Sequence, residues 1–473
     1  MEDSRKKYVN LPENSWGEEC GLVGIYAPEN SDDIARFSYL SLYSLQHRGQ
    51  ESAGICVTNG GEFDRKRGMG LVTNVFAEED LADMEGNIGL GHVRYSTAGS
   101  SKMVNVQPFI TSSIKGNLAL AHNGNLTNHR ELRSNLEERG AIFHSGLDTE
   151  VIAHLIARSL QDDIEEAFVE SLQGIRGAFS LLAMTDDSLL AARDPRGFRP
   201  LVLGQKDDFY IVASETCAFD ILEAEPIREI EPGEVITINE EGIKSRYYCE
   251  NKKNKFCVFE FIYFARPDSV IKDQNVRQAR KKMGENLARE AEVDGDVVVP
   301  VPSSGISAAL GFAGEAGIPY KQGILQNKYV GRTFIQPRQK IRNLKVRIKL
   351  NPIKKIIKDK RVILVDDSIV RGTTSQQIVN MLREAEAEEI HMAVSSPPVS
   401  HSCYYGLDTS RRQQLIASSK NPQEICQHIG ADSLTYLSRE GLLASLDSDD
   451  GGFCTACFDG NYPLPPPEEV KNI

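Results

Sequence analysis

One segment of this chain, residues 361–375, restricts its fold and chemistry more than any other: Arg-Val-Ile-Leu-Val-Asp-Asp-Ser-Ile-Val-Arg-Gly-Thr-Thr-Ser. The apolar run at its start has the length and the β-branched content of a strand that is buried on both faces. The apolar residues beyond it have the spacing of a helix face: Ile378, Val379, Leu382 and Ala385. We therefore predict a strand, a turn and a helix in this order.

The turn carries the side chains of a site for a sugar phosphate. Ligands of open parallel sheets bind beyond the carboxyl ends of the strands, and a helix N-terminus presents free N–H groups to a phosphate. Gly372 allows close approach of the backbone, and hydroxyl donors follow it at Thr373, Thr374 and Ser375. Asp366 and Asp367 suit ribose hydroxyls or a divalent cation that bridges to a second phosphate. The alternative is a pair of acidic residues in a solvated loop.

This segment resembles the phosphoribosylpyrophosphate (PRPP) motif of type I phosphoribosyltransferases, whose fold is an open parallel sheet flanked by helices. The resemblance implies that PRPP binds to Asp366, Asp367, Ser368, Arg371, Gly372, Thr373, Thr374 and Ser375. A second buried strand is predicted at residues 296–301, followed by the turn Pro-Ser-Ser-Gly-Ile at 302–306. The resemblance places Mg²⁺ on Asp366, Asp367 and Ser304. Ser303 stands where we expect an acidic residue, and a plain turn is the alternative for this segment.

Length and charge exclude several classes of protein. A chain of 473 residues is too long for one hydrophobic core, so at least two domains are expected. The net charge of −13 argues against a general nucleic-acid or anionic-membrane partner. No apolar run approaches the roughly 20 residues of a membrane span, and residues 1–19 lack the apolar region of a secretory signal. We expect a cytoplasmic protein.

Cys20 opens a strand-like stretch of alternating apolar residues, 20–26. Three later stretches are rich in glycine and polar side chains between apolar runs: residues 46–54, 91–97 and 121–128. Such stretches are typical of loops that form a site. A cysteine at the start of a strand is by itself more often structural, but beside such loops it is a candidate nucleophile.

With these loops, residues 20–248 resemble the class II glutamine amidotransferases, N-terminal-nucleophile enzymes with an αββα sandwich. In that family the base is the α-amino group of the cysteine itself, whose pKa near 8 suits proton transfer at neutral pH. The resemblance therefore implies that residues 1–19 are a propeptide, whose removal exposes the amine of Cys20.

The same resemblance assigns roles to single residues. Asn123 and Gly124 would be the oxyanion donors. Arg94 would bind the α-carboxylate of glutamine and Asp148 its α-ammonium group. Arg48, in the loop expected to close over the site, is also predicted to contact glutamine. Histidines that only form hydrogen bonds in the core or in a loop are commoner than histidines that act as a base or a metal ligand. We interpret three histidines in this way: His47, His92 and His122.

The pattern changes near residues 251–255, which are polar and precede an aromatic-rich run at 256–264. A domain boundary there divides the chain into a propeptide at 1–19, a glutaminase domain at 20–252, and a phosphoribosyltransferase domain with a cysteine-containing tail at 253–473. The basic tract from residue 328 to residue 349 supplies positive charge for a polyanionic substrate. Within it, Lys328 and Arg332 are predicted to bind PRPP. For the tract beyond Gln336, a solvated charge run is the alternative.

Nine cysteines in a cytosolic chain favour metal binding or catalysis over disulfides. Cys454 and Cys457 form a CxxC pair, which alone is compatible with zinc, redox or iron–sulfur chemistry. Cys257 and Cys403 are distant single cysteines. One pair with two distant single cysteines suits an iron–sulfur cluster that attaches the tail to the core better than it suits zinc. Zinc and free cysteines remain the alternatives.

As a whole, residues 20–462 resemble the [4Fe–4S]-bearing subgroup of the glutamine PRPP amidotransferases. That family transfers the glutamine amide nitrogen to PRPP, which gives 5-phosphoribosylamine, glutamate and pyrophosphate in the first step of de novo purine nucleotide synthesis. The resemblance implies Mg²⁺ and a [4Fe–4S] cluster on Cys257, Cys403, Cys454 and Cys457, purine nucleotides as feedback inhibitors, and a homotetramer.

Two alternatives stand beside this interpretation. Another class II amidotransferase would share the amino-terminal half, but it would carry a sugar-isomerase or ATP-pyrophosphatase motif in place of residues 365–375. A non-enzymatic iron–sulfur sensor is the other alternative, and the competent residues at all the catalytic positions named above argue against it.

Overall fold

The computed structural model describes residues 20–31, 33–95, 102–250, 253–327, 349–406, 412–447 and 452–466. The predictions for the propeptide, for Lys328 and for Arg332 concern residues outside these ranges. Within the described ranges, every helix is too short or too polar to cross a lipid bilayer.

Two antiparallel sheets make up the amino-terminal half. Their strands are β1 (Gly21–Ser31), β2 (Ser52–Thr58), β3 (Phe63–Met69), β4 (Gly86–Arg94), β5 (Phe109–Ser113), β6 (Gly116–Leu126), β7 (Gly177–Met184), β8 (Leu189–Arg193), β9 (Val202–Lys206), β10 (Phe209–Ala213), β11 (Glu225–Glu229), β12 (Glu234–Asn239) and β13 (Gly242–Tyr247). The first sheet has the order β11-β9-β10-β1-β4-β2-β3, and the second has the order β13-β12-β8-β7-β6-β5.

Helices cover the outer faces of these sheets. They are α1 (Ile34–Ser44), α2 (Val72–Val75), α3 (Glu78–Ala82), α4 (His129–Glu138), α5 (Asp148–Arg158), α6 (Ile164–Gly174) and α7 (Cys217–Asp220), with a 3-10 turn at Met103–Asn105. In β1, Leu22 and Tyr26 pack between the two sheets, while Val23 and Ile25 pack against the layer that contains α1. On the far side, α5 and α6 pack on the second sheet. The layers confirm the predicted αββα sandwich.

The carboxyl-terminal half is built on a parallel sheet. Its strands are β14 (Phe256–Cys257), β15 (Val270–Ile271), β16 (Gln274–Asn275), β17 (Val297–Pro300), β18 (Ile324–Gln326), β19 (Leu350–Pro352), β20 (Arg361–Asp366), β21 (Glu389–Val394), β22 (Ser433–Tyr436) and β23 (Phe453–Cys454). Its helices are α8 (Val276–Glu290), α9 (Ile306–Ala316), α10 (Lys354–Ile357), α11 (Thr373–Glu384), α12 (Pro422–Ile429), α13 (Arg439–Ala444) and α14 (Ala456–Asp459), with a π-helical turn at Glu260–Phe264 and 3-10 turns at Arg412–Gln414 and Ile416–Ser418.

The central sheet of this half has the order β17-β20-β21-β22, and all its strands are parallel. In β20, Val362 and Leu364 pack on one face, where α11 and α12 lie, while Ile363 and Val365 pack on the other face with α8 and α9. A strand covered on both faces is apolar throughout. The predicted strand, turn and helix of residues 361–385 are thus confirmed, and so is the open parallel sheet.

The tail returns to the start of this half. The two-residue strands β14 and β23 pair in parallel, with Phe256 opposite Phe453 and Cys257 opposite Cys454. The amide of Cys257 also donates to the carbonyl oxygen of Phe198 at 3.1 Å. Residues from the glutaminase half, the transferase half and the tail therefore meet at one place.

Candidate active sites

Cys20 immediately precedes β1, which pairs with β4. Leu22 lies opposite His92 in this pairing, so Cys20 lies near Arg94 and Tyr95, where β4 ends. The thiol is buried, and its Sγ donates to the carbonyl oxygen of Tyr95 over 3.7 Å. Burial raises the pKa of the Cys20 thiol to about 11, although the Tyr95 carbonyl contact and Arg94 act in the opposite direction. Such a thiol is protonated at neutral pH and needs a base before it can attack.

Arg94 is the last residue of β4 and supplies a buried cation beside this thiol. Its side chain is 2% exposed, and Nη1 donates to Glu51 Oε1 at 2.9 Å. The planar guanidinium has further N–H donors in a fixed arrangement that matches a carboxylate. The position of Arg94 is therefore compatible with its predicted role at the α-carboxylate of glutamine.

Asn123 and Gly124 lie on β6, and a contact between the sheets brings this strand to the end of β4. His92 Nε2 lies 3.2 Å from the carbonyl oxygen of His122, the residue before Asn123. The Asn123 side chain is buried, and its Nδ2 has no hydrogen-bond partner among the described residues. Gly124 has φ +141°, and a Cβ there would lie 2.0 Å from the carbonyl oxygen of Ala178. A buried, unused donor next to a position restricted to glycine fits an oxyanion hole.

Asp148 is the first residue of α5 and contacts the same strand. Its Oδ1 lies 3.2 Å from His122 Nδ1, and its Oδ2 accepts from the amide of Leu126 at 3.2 Å. Burial alone would raise the pKa of Asp148, but the interaction with His122 and the hydrogen bonds outweigh burial and lower the pKa to about 2. The carboxylate is therefore ionised at neutral pH and is able to bind an ammonium group.

The structure differs from the prediction for Arg48. The guanidinium is buried, and it forms a bidentate ion pair with Glu260 at Nη1–Oε2 and Nη2–Oε1 distances of 2.9 and 2.8 Å. Nη1 also donates to Glu215 at 2.5 Å, and Nε donates to the Cys20 carbonyl oxygen at 3.1 Å. Both carboxylates lie far from Arg48 in the sequence, and for this reason no local pattern indicates them. Arg48 holds the main chain of Cys20, and its position does not support the predicted contact with glutamine.

The acid pair of the transferase half lies where β20 ends, beside the turn that follows β17. Asp366 Oδ1 accepts from the amide of Asp367 at 2.9 Å and from the hydroxyl of Ser304 at 3.2 Å. Burial raises the pKa of Asp366 well above its usual value, and the neighbouring Asp367 raises it further. A hard divalent cation between these groups would stabilise both carboxylates. The structure thus brings together the residues predicted to hold Mg²⁺.

The turn between β20 and α11 has the geometry expected for phosphate binding. Gly372 adopts φ +77° directly before α11. Thr373 Oγ1, in the first turn of this helix, is buried and has no hydrogen-bond partner among the described residues. Ser368 donates to Asp367 Oδ2 at 2.5 Å, and Arg371 Nη2 donates to Gln414 at 2.7 Å at the edge of the turn. An unused hydroxyl and the free amides of a helix N-terminus suit an incoming phosphate.

Arg280 is a functional candidate that the sequence patterns do not identify. It lies on α8, where Nε donates to the carbonyl oxygen of Phe261 at 2.7 Å and Nη2 to that of Ala265 at 2.8 Å. Burial lowers the pKa of Arg280 to about 10, and the charge of Asp367 opposes this shift. The sequence contains one indirect signal: Arg280 has the helical spacing of the buried apolar residues of α8, which are Val276, Met283 and Leu287. A charged residue on a buried helix face is a candidate for a specific role.

The four cysteines of the predicted cluster line one cavity, together with Phe198, Tyr405 and Tyr462. Burial raises the pKa of Cys457, and the other three thiols raise it further. The amide of Tyr405 donates to Cys403 Sγ at 3.3 Å. In the described part of the chain, no three histidine, cysteine or acidic side chains are grouped as a single metal ion requires. Four thiols around one cavity suit an inorganic cluster that takes four cysteine ligands.

The two sites define a class of enzyme in which a glutamine amidotransferase and a phosphoribosyltransferase share one chain. A glutamine amidotransferase domain matches residues 92–220, and a phosphoribosyl transferase domain matches residues 269–409. The chain belongs to the amidophosphoribosyltransferase family, because the amidophosphoribosyltransferase of Bacillus subtilis (strain 168) is 50% identical to it over 451 residues, 94% of each chain.

Other relatives agree across distant organisms. The amidophosphoribosyltransferase of Methanothermobacter thermautotrophicus is 45% identical over 465 residues, 98% of each chain. The solved structure of the glutamine PRPP amidotransferase from B. subtilis, complexed with ADP and GMP, has a TM-score of 0.90 at 49% identity and covers 95% of this chain and 98% of that one. The predicted function is confirmed: the chain is a pentosyltransferase of purine biosynthesis that uses glutamine and PRPP.

Proposed function

We propose that Cys20 is the nucleophile that releases ammonia from glutamine, and that its own α-amino group, exposed by removal of residues 1–19, is the base. The observation that carries this proposal is the buried thiol at the joined ends of β1 and β4, whose pKa is raised to about 11. Such a thiol needs a base within reach, and an amine on the same residue is always within reach.

The proposed chemistry begins when the amine accepts the thiol proton and the sulfur attacks the amide carbon of glutamine. Asn123 Nδ2 and the amide of Gly124 donate to the oxyanion that forms on the carbonyl oxygen. The amine returns its proton to the departing nitrogen, so ammonia leaves and a glutamyl thioester remains. Water then hydrolyses the thioester to glutamate and restores the thiol. Arg94 and Asp148 hold the α-carboxylate and the α-ammonium group of glutamine during both steps.

The second half-reaction is proposed at the turn after β20. Asp366 and Asp367 hold the ribose hydroxyls and, with Ser304, a Mg²⁺ ion that would stabilise the negative charge of the leaving pyrophosphate. The 5-phosphate binds at the start of α11, to Gly372, Thr373, Thr374 and Ser375, with Ser368 and Arg371 at the edge of the site. Ammonia attacks C1 of the ribose and pyrophosphate departs. Lys328 and Arg332 stay predictions for PRPP binding.

The four cysteines are proposed to hold a [4Fe–4S] cluster. The fit rests on four buried thiols around one cavity and on a main-chain amide that donates to Cys403 Sγ. The cluster would join Cys257 at the start of the transferase half to Cys454 and Cys457 in the tail. Because an unfolded chain lacks such a site, the binding free energy of the cluster would contribute to the free energy of folding.

Several further parts of the proposal concern partners and organisation. Purine nucleotides are proposed as inhibitors, supported by the relative from B. subtilis whose structure holds ADP and GMP. We also propose domains at 20–252 and 253–473 and a homotetrameric assembly. A cytoplasmic location stays a prediction.

The proposed nucleophile is tested by Cys20→Ala in the processed enzyme. Glutamine-dependent synthesis of phosphoribosylamine should fall by at least about 10³-fold, because no other thiol can form the thioester, while synthesis from ammonium salts should stay within about twofold. Intact mass of the active wild-type enzyme should show Cys20 as the first residue. Equal loss of both activities, or full activity in protein that retains residues 1–19, would refute the assignment.

A further inference from the structure

A buried group of charges lies between the glutaminase half and the transferase half, directly behind Cys20. It contains Arg48 and Glu215 from the glutaminase half and Glu260 from the π-helical turn that opens the transferase half. Arg199, from the loop before β9, lies 3.5 Å from Glu260 Oε1 and donates to the carbonyl oxygen of Tyr405 at 2.5 Å. All four charged side chains are completely buried.

Each carboxylate of this group finds partners in the opposite half of the chain. Glu260 forms the bidentate pair with Arg48. Glu215 Oε2 accepts from the amide of Arg266 at 2.9 Å and from the hydroxyl of Ser269 at 2.7 Å. Two arginines face two carboxylates, and His47 Nε2 also lies 2.8 Å from Glu215 Oε1. The loss of any one charged member would leave a buried charge with fewer counter-charges.

A further donor of Arg48 connects this group to the nucleophile. Nε donates to the carbonyl oxygen of Cys20 at 3.1 Å. This hydrogen bond restrains the peptide plane that follows Cys20, and with it the directions of the Cys20 nitrogen and Cβ. In the proposed mechanism, the base and the nucleophile are both on Cys20. A rotation of its main chain would therefore displace both groups together from the substrate.

We propose that Glu260 is a positioning residue for the glutaminase reaction: acting through Arg48, it fixes the main chain of Cys20 from the transferase side of the molecule. The inference rests on the proposed function of Cys20 as the nucleophile. It also means that the glutaminase site is incomplete without a carboxylate from outside the glutamine amidotransferase domain.

The turn that carries Glu260 is itself held in place on its other side. Arg280 donates to the carbonyl oxygens of Phe261 and Ala265, which lie within and directly after the turn. Arg280 interacts electrostatically with Asp367 of the transferase acid pair. Hydrogen bonds from α8 therefore hold the turn that carries Glu260, and the chain of contacts from this turn through Arg48 connects the transferase half to Cys20.

The test is Glu260→Gln in the processed full-length holoenzyme, with kcat and KM for glutamine, the ammonium-dependent rate and the melting temperature as readouts. Glutamine keeps the size of the side chain but removes its charge and one acceptor oxygen. Because a displaced nucleophile slows the chemical step and leaves binding intact, kcat with glutamine should fall about tenfold while KM stays within about twofold. The ammonium-dependent rate should also stay within about twofold.

Three results would overturn the inference. A rise in KM at unchanged kcat would mean that Arg48 serves glutamine binding. A parallel fall of both activities and of the melting temperature would mean that Glu260 only stabilises the fold. Unchanged kinetics would mean that Cys20 is positioned without Glu260.

A matched control is Glu290→Gln, which alters another carboxylate of the transferase half. Glu290 is exposed and accepts from the amide and the hydroxyl of Ser438, each at 2.7 Å. The kcat of this variant with glutamine should stay within about twofold of wild type. If Glu260→Gln does not fold, Glu260→Asp replaces it. That variant keeps the negative charge but shortens the side chain, which weakens the bidentate contact with Arg48, and should lower kcat with glutamine about two- to threefold; an unchanged kcat would overturn the inference.

Cys20→Ala separates the two claims. If Cys20→Ala retains glutamine-dependent synthesis, the proposed nucleophile is wrong. If Cys20→Ala is inactive with glutamine and Glu260→Gln behaves as wild type, only the positioning role fails.

Discussion

The two active sites of this molecule are assembled in opposite ways. Among the described residues, the proposed transferase site comes almost entirely from residues 366–375, and of the residues predicted to hold its metal only Ser304 comes from another strand end. The proposed glutaminase site combines Cys20, Arg94, Asn123 and Asp148 from two sheets and a helix, and Arg48 holds the main chain of Cys20.

The two sites also solve one electrostatic problem differently. Burial disfavours the charged form of Cys20 and of Asp366, and raises the pKa of each. In the proposed mechanism the thiol loses its proton to an amine on the same residue, whereas the acid pair receives a cation together with its substrate. The glutaminase site therefore depends on removal of the propeptide, whereas the transferase site depends on the supply of the cation from the solvent. Damage to either site should therefore leave the chemistry of the other largely intact.

The largest effect on this comparison is expected from Asp366→Asn combined with Asp367→Asn. The transferase site loses its anchor for the cation and the ribose, worth several kcal/mol in the transition state, so ammonium-dependent synthesis should fall by at least about 10³-fold. Glutamate release from glutamine should persist. Both are measured on one preparation, and survival of ammonium-dependent synthesis would show that the transferase site lies elsewhere.

The next effect separates structural cysteines from the catalytic one. Cys457→Ser should abolish iron and sulfide binding, which we expect at about four of each per chain in the wild type, and should destabilise the fold by about 4 kcal/mol or more. Iron and sulfide analysis with chemical unfolding measures both. Cys426→Ser is the control, because Cys426 lies outside the cavity. An active, zinc-containing wild-type protein without iron would contradict the cluster assignment.

A smaller effect is expected at the glutamine pocket. Asp148→Asn removes a charge that we expect to pair with the ammonium group of glutamine, so KM for glutamine should rise about 10- to 100-fold, while ammonium-dependent synthesis is unchanged. Steady-state kinetics with both nitrogen donors measures this. The exposed Asp208→Asn serves as the control. A change in the ammonium-dependent rate would show that the two sites are not independent.

The smallest effect is expected at the phosphate turn. Thr373→Val keeps the size of the side chain but removes a buried hydroxyl that has no partner in the described structure, so KM for PRPP should rise about three- to tenfold. Glutamate release should not change. Thr127→Val, which removes a hydroxyl bonded to the Arg176 carbonyl in the other half, should leave KM for PRPP at the wild-type value. An unaltered KM in Thr373→Val would remove this hydroxyl from the phosphate site.

Prediction from the sequence succeeded where a short stretch contains all the information. In residues 361–385, the continuous apolar run indicates a strand that is buried on both faces, and the helical spacing that follows indicates a helix with one buried face. The strand, the turn and the helix were therefore predictable. The fold class and the enzyme family followed in the same way from motifs that are local in the chain. The individual roles within the sites stay predictions, although the structure places Ser304 against Asp366 as expected.

The sequence by itself determined the sheets, the family and the residue types that line both sites, because strand and helix periodicity and turn chemistry act over a few residues. Only the tertiary structure decided that Arg48 faces Glu260, 212 positions away, instead of an open pocket. The same holds for Arg280, whose charge interacts with Asp367, and for the aromatic side chains that line the cavity of the four cysteines, although the sequence had already predicted that these cysteines meet. A buried charge must find its counter-charge wherever the packed halves of the chain bring one, and this pairing depends on how the halves pack and not on any local pattern.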